Sequence, residues 1–221
     1  MEQAEILRRC DHTLLRQDAT WEQIRQLCDE AVHYGCASVC IPPCFVAQAV
    51  RYLAGAVPVC TVIGFPNGYN TTAVKCFEAA TAVADGAGEI DMVLHLGQVR
   101  QGQFDAVQEE IAAVRRVCRG QVLKVIIETC LLTEAEKIAL CHVVTDAGAD
   151  FIKTSTGFAG GGATEADVAL LAAHVGPGVR VKASGGIASL QDAAALLEAG
   201  AARLGTSRVV AEVIRNEGKG V

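Results

Sequence analysis

The feature that most constrains the fold is a phrase repeated along the chain. Segments with helical periodicity close on Gly35, Gly86, Gly148 and Gly200, and each glycine precedes a short strand-like run: ASVCIP, EIDMVL, DFIKTS and ARLGTS. Glycine ends helices this way because it enters the left-handed region without a Cβ clash. The fifth residue after each glycine is a notable one: Cys40, Asp91, Lys153 and Gly205. Three further runs, PVCTVIGFP (58–66), VLKVIIET (122–129) and VRVKASGG (179–186), also follow a helical pattern and a Gly or Pro, and CDHTLL at 10–15 brings the number of strands to eight.

Helix starts are marked by Thr20 with Gln23, Thr133 with Glu136, Thr164 with Asp167 and Ser189 with Asp192, each reading as an N-cap and its N3 partner. Apolar stripes follow, such as Phe104, Val107, Ile111 and Val114. Eight strands alternating with helices in 221 residues predict a closed (β/α)8 TIM barrel, one catalytic domain over 1–221. Hydrophobic residues are 51% of the chain and aromatics only 5%, so Val, Ile, Leu and Ala build the core, as in a buried parallel sheet. An open doubly wound sheet ranks second, because no G-x-G-x-x-G follows the first strand.

Strand parity decides where charges point, since alternate residues of a barrel strand face the helices or the lumen. In 179–184, Val179, Val181 and Ala183 share the outer face and leave Arg180 and Lys182 inside. The same alternation turns Lys124 and Glu128 inward from 122–128, Glu89 and Asp91 from 89–93, and Phe151, Lys153 and Ser155 from 151–155. Such a cluster is read either as a structural ion network or as catalytic machinery. Lys153 and Lys182 favour the second reading, because both sit toward C-terminal strand ends and run directly into polar, glycine-rich loops. Lys124, mid-strand beside carboxylates, suits either role.

A free lysine amine forms Schiff bases with carbonyls, which makes the neighbouring carbon acidic and opens carbon–carbon cleavage. Burial and a nearby second cation both disfavour the ammonium, so the pair is expected to lower the pKa of Lys153, with Lys182 as its helper. Asp91 is the candidate proton shuttle, or a counter-charge for the lysines. Glycine-bearing loops follow the last three strands: T156-G157-F158-A159-G160-G161-G162, S184-G185-G186 and G205-T206-S207. Barrels bind phosphate at such loops through backbone N–H groups and a helix start, so Gly157, Gly185, Gly186 and Ser207 are the expected cradle.

Other classes recede. The net charge of −6 is scattered, without the basic stripe that nucleic acid requires. No apolar stretch approaches a membrane span, and the opening MEQAEILRRCDHTLL does not resemble a signal, so a soluble cytoplasmic protein is expected. The ten cysteines sit within periodic segments and are expected as buried thiols; Cys36, Cys40 and Cys44 lack cluster spacing, and the five histidines are dispersed, so neither metal nor cofactor is expected.

The phrases CDHTLL, SVCIPP, GFPNG, EIDMV, LKVIIET, FIKTSTGF, VKASGGI and RLGTS, spread over 10–207, resemble those of the deoxyribose-phosphate aldolases, class I aldolases on a (β/α)8 barrel. The resemblance implies reversible cleavage of 2-deoxy-D-ribose 5-phosphate to acetaldehyde and D-glyceraldehyde 3-phosphate, with no metal or organic cofactor. It implies Lys153 as the Schiff-base residue, Lys182 as its proton-relay partner, Asp91 as proton donor and acceptor, and Asp11, Cys40 and Lys124 as inner-shell support. It also implies a cytosolic homo-oligomer, dimer or tetramer, acting in deoxynucleoside catabolism. Some members end in a tyrosine-bearing tail that reaches the active site; the sequence here closes with RNEGKGV, without an aromatic, and the lumen residues are expected to act without one. The competing readings keep the barrel: another aldolase or a sugar-phosphate isomerase using a carboxylate, or a non-enzymatic phospholigand-binding barrel.

Overall fold

The structure is a computed structural model describing residues 1–218. Eight parallel strands, β1 (Cys10–Thr13), β2 (Ser38–Ile41), β3 (Val59–Ile63), β4 (Glu89–Val93), β5 (Val122–Ile126), β6 (Phe151–Lys153), β7 (Arg180–Ser184) and β8 (Ala201–Thr206), pair in sequence order, and β8 closes on β1 through Asp11 and Gly205. This is the (β/α)8 barrel that the glycine-strand repeat requires. The helices are α1 (Gln3–Leu7), α2 (Trp21–Tyr34), α3 (Val46–Leu53), α4 (Thr72–Ala84), α5 (Leu96–Arg100), α6 (Phe104–Val117), α7 (Glu134–Asp146), α8 (Glu165–His174), α9 (Leu190–Glu198) and α10 (Val209–Glu217). Residues 219–221, part of the terminal segment lacking an aromatic, lie outside the described residues.

Local chemistry places the elements. Thr20, Thr133 and Ser189 form capping boxes with Gln23, Glu136 and Asp192. Thr164 accepts only from the backbone of Asp167, whose carboxylate instead meets Lys137 Nζ at 2.5 Å and ties α8 to α7. Between barrel and helices runs one continuous apolar layer. Ile90, Leu123, Val125, Ile152, Val181 and Ala183 supply it from the sheet, and Val107, Ile111, Val114, Val168 and Leu171 from the helices. Each large aliphatic buried there contributes roughly 1.5–3 kcal/mol, so the outward parity of every strand is strongly enforced. One ion pair interrupts the layer: Lys75 on α4 reaches Glu110 on α6 at 2.9 Å, both buried.

Register then fixes the lumen. Asp91 pairs with Lys124, and Lys153 with Lys182, while a shift between Val181 and Lys182 brings Lys182 opposite Arg203. The expected run at 122–129 is shorter in fact: β5 ends at Ile126, and Glu128 takes a left-handed backbone with φ 53°. That turn swings its carboxylate beneath Thr156, whose hydroxyl donates to it at 2.5 Å, instead of pointing it into the lumen from a strand.

Candidate active site

The lumen holds two tiers of charge. In the lower tier, Arg203 Nη1 lies 2.5 Å from Asp11 Oδ1 and 3.2 Å from Glu89 Oε2, and Glu89 in turn lies 2.6 Å from Lys124 Nζ. Ser38 donates to Asp11 at 2.7 Å. The Phe151 ring closes this level, with the guanidinium carbons of Arg180 and Arg203 at 4.2 and 5.6 Å from its centre. Arg180 thus keeps inward parity but sits exposed at the N-terminal end of the barrel, apart from the other charges.

The upper tier centres on Asp91. Its Oδ1 lies 2.8 Å from Lys124 Nζ, and its Oδ2 lies 2.7 Å from both Lys153 Nζ and Lys182 Nζ. Lys182 also reaches Asp11 Oδ2 at 2.5 Å. Burial alone would push the Asp91 carboxyl up, but the Lys124, Lys153 and Lys182 ammonium groups outweigh it and hold the group well below the carboxylate range. Asp11 behaves alike: burial opposes the charged form, and Lys182, Lys124 and Arg203 together keep the carboxyl low. Burial acts to discharge Lys182 as well, yet Asp11 and Asp91 hold it above the ordinary lysine value, and it stays an ammonium. Lys124 is held high in the same way, chiefly by Asp91 against its burial.

Compensation is uneven. Lys124 faces three carboxylates and Lys182 two, whereas Lys153 has a share in one oxygen of Asp91. Four cations, Lys124, Lys153, Lys182 and Arg203, meet three anions, Asp11, Glu89 and Asp91, so one positive charge is in excess. Of the three lumen lysines, Lys153 is also the one that lines a cleft.

That cleft has a volume of about 410 Å³ and opens at the C-terminal strand ends. Gly157, Gly185, Gly186, Thr206, Ser207 and Arg208 line it together with Lys153, so all four residues expected to hold phosphate border the same cleft. Gly185 and Gly186 take φ of 80° and 79°, which turns the backbone as a side chain would resist. Arg208, the residue before α10, lines the cleft, so the start of that helix borders it. Gly205 serves the upper tier: a Cβ there would lie 3.1 Å from Lys182 Cε, so only glycine leaves the lysine its path.

Cys40 faces the lumen beside Cys60, in a small apolar group with Val62, Leu15 and Phe65. Cys36 joins the outer layer and Cys44 is exposed, so the three evenly spaced cysteines go to three environments. Cys40, Cys60 and Asp91 place ligand atoms within 4.8 Å of one another, the one grouping on the upper tier with a metal-binding donor set among the described residues. The ammonium groups already on both Asp91 oxygens compete with any cation there. His12, also near a strand end, faces outward and meets Glu30 at 2.7 Å.

Two participants escaped the sequence reading. Arg203 lies in the run ARLGTS two residues before Gly205, and the parity that places Gly205 inward places the arginine there too. Cys60, whose Sγ lies 3.2 Å from Asp91 Oδ1 and 3.3 Å from Lys124 Nζ, had only its place within the run PVCTVIGFP to announce it.

Comparison with known proteins agrees with this geometry. The family model described as DeoC/LacD family aldolase matches residues 6–211. The deoxyribose-phosphate aldolase of Streptococcus pyogenes serotype M4 (strain MGAS10750) is 53% identical over 217 residues, which are 98% of this chain and 97% of the relative. Among solved structures, the tetrameric deoxyribose phosphate aldolase of Aeropyrum pernix superposes with a TM-score of 0.90 at 35% identity, covering 100% of this chain and 94% of that one. The aldolase QR15 gives a TM-score of 0.90 at 39% identity, covering 96% and 97%.

Proposed function

The chain belongs to the DeoC/LacD family of aldolases and catalyses the deoxyribose-phosphate aldolase reaction, reversible cleavage of 2-deoxy-D-ribose 5-phosphate to D-glyceraldehyde 3-phosphate and acetaldehyde; on that premise we propose that Lys153 carries the Schiff base. The observation that carries this assignment is its position: Lys153 borders the cleft, and its amine is the least compensated of the lumen cations. Transfer of its proton to Asp91 Oδ2, 2.7 Å away, yields the nucleophile.

In this mechanism the phosphate rests against Gly157, Gly185, Gly186 and Ser207 at the start of α10, which fixes the aldehyde carbon over Lys153. The amine adds to that carbonyl, and Asp91, carrying the proton that Lys153 gave up and with the Lys182 ammonium beside it, protonates the carbinolamine oxygen, which leaves as water and gives an iminium. Its positive nitrogen accepts the electrons of the C2–C3 bond as that bond breaks. The 3-hydroxyl proton passes to Asp91, and glyceraldehyde 3-phosphate departs. The remaining enamine takes a proton at C2, and water hydrolyses the resulting iminium to acetaldehyde and free Lys153. Lys182 keeps its charge throughout and excludes a second cation, while Asp11, Cys40 and Lys124 hold Asp91 and Lys182 in place. No step in this reading calls for a metal or an organic cofactor.

The same reading takes the chain as one catalytic domain working in the cytoplasm as a homo-oligomer, supported by the exposed Tyr69, Val74 and Phe77 on and beside α4. Sedimentation analysis checks the assembly. Borohydride reduction in the presence of acetaldehyde tests the mechanism: the expected product is N-ethyl-lysine in the peptide containing Lys153. An adduct on another lysine, or none, overturns the assignment.

A further inference from the structure

We propose that Cys40 and Cys60 form an oxidisable dithiol site, closed to a disulfide by a hydroperoxide, and that closure stops turnover. The activity part of this inference rests on the function proposed above; the sulfur chemistry does not.

The two residues are direct register partners on β2 and β3, the one such cysteine pair among the described residues. Adjacent strands run about 4.8 Å apart, within the range of roughly 4.4–6.8 Å between Cα atoms that a disulfide spans. Both side chains face the lumen, and their Sγ atoms lie within 4.8 Å of each other. Joining them brings the sulfurs from within 4.8 Å to the roughly 2.05 Å of an S–S bond. Of the other eight cysteines, only Cys44 and Cys130 are exposed.

The surroundings assign the two sulfurs different parts. The neighbouring Cys60 thiol, together with the Lys182 and Lys153 ammonium groups, holds the Cys40 thiol below its usual value despite burial. Burial pushes the Cys60 thiol well up. Cys40 is therefore the attacking thiolate. It attacks the distal oxygen of the hydroperoxide: an S–O bond forms, the O–O bond breaks, and the alkoxide or hydroxide leaves, taking the Cys40 proton to depart as alcohol or water. Cys60 then attacks the sulfenic sulfur, the S–S bond forms, and the S–O bond breaks to release water, which carries away the Cys60 proton. The sum is two thiols plus ROOH giving a disulfide, ROH and water. Two electrons pass from sulfur to the peroxide.

Closure reaches the catalytic tier because of what Cys60 touches. Its sulfur lies 3.2 Å from Asp91 Oδ1 and 3.3 Å from Lys124 Nζ, so drawing it toward Cys40 leaves Asp91 Oδ1 with Lys124 alone and disturbs the carboxylate that Lys153 and Lys182 share. A misplacement of about 1 Å at reacting groups is enough to cost roughly 10²-fold in rate.

The test uses the full chain with Cys44→Ser and Cys130→Ser, which removes the exposed thiols. The reduced protein is first assayed for retro-aldol cleavage, then treated with limiting hydrogen peroxide, quenched with catalase, and divided between assay and peptide mass spectrometry. The expected result is a Cys40–Cys60 cross-linked peptide that accumulates in step with at least a tenfold loss of rate, both reversed by dithiothreitol. Adding Cys60→Ala, read against its own untreated rate, should abolish the reversible loss. Free Cys40 and Cys60 after oxidation, a cross-link with full activity, or a reversible loss that persists in Cys60→Ala would each overturn the proposal. A reduced protein without aldolase activity would count against the proposed function instead, while the cross-link still decides the sulfur site.

Discussion

The floor of the barrel lumen and its rim use the same residue types to opposite ends. At the floor, Arg203 and Lys124 face Glu89 and Asp11, charge against charge, with Ser38 as an added donor. At the rim, Lys153 and Lys182 converge on one oxygen of Asp91, and the count is two cations to one anion. A buried charge is tolerated where it is paired, so the floor is stable and inert, and the excess is left where the cleft opens. Reactivity in this molecule is located by where compensation runs out, more than by which side chain is a lysine. The Lys75–Glu110 pair in the outer layer makes the same point: one to one, remote from the cleft, and without chemistry.

Substitutions at the two tiers should therefore separate cleanly. The largest effect is expected for Lys153→Leu at the rim, which removes the nucleophile and should cost about 10⁴-fold or more in kcat with an unchanged circular dichroism spectrum. Asp91→Asn comes next; it removes the proton carrier, for about 10²–10⁴-fold in kcat, and leaves three lysines around a neutral amide, so its melting temperature should fall as well. Arg203→Met at the floor inverts the pattern: about 3–5 kcal/mol of stability is lost in denaturant titration while kcat changes little. A large loss of rate in Arg203→Met with normal stability would break the distinction between tiers.

The smallest effect is one of pH. The folded pKa values of Asp91 and Asp11 are depressed, so their contribution to stability is present above the unfolded value of about 3.9 and is lost as pH falls through the folded values. Lys124 and Lys182 are raised, so theirs is present below about 10.4 and is lost as pH climbs beyond it. The melting temperature should thus lie on a plateau between about pH 4 and pH 8.5, limited on the acid side by the carboxylates and on the alkaline side first by the buried thiols of Cys10, Cys28, Cys36 and Cys141, which burial pushes up, and then by the lysines. Asp91→Asn should lower the plateau and soften both edges.

Local sequence determined a large part of this protein. Helix ends follow from Gly35, Gly86, Gly148 and Gly200, helix starts from Thr20, Thr133 and Ser189, and the inward side of each strand from parity, because all three depend on backbone geometry over a few neighbouring residues. Parity was enough to put Asp91, Lys124, Lys153 and Lys182 in one space. It failed at Glu128, where the strand had already ended, and it went unused at Arg203. What only the tertiary structure decided is who pairs with whom. Lys153 and Lys182 share Asp91 Oδ2 across 62 and 91 residues of chain, and Arg203 reaches Asp11 across 192. Those partnerships come from the stagger of eight closed strands and the register shift at Lys182, and closure of a barrel is a property of all its strands together, which no stretch of sequence carries alone.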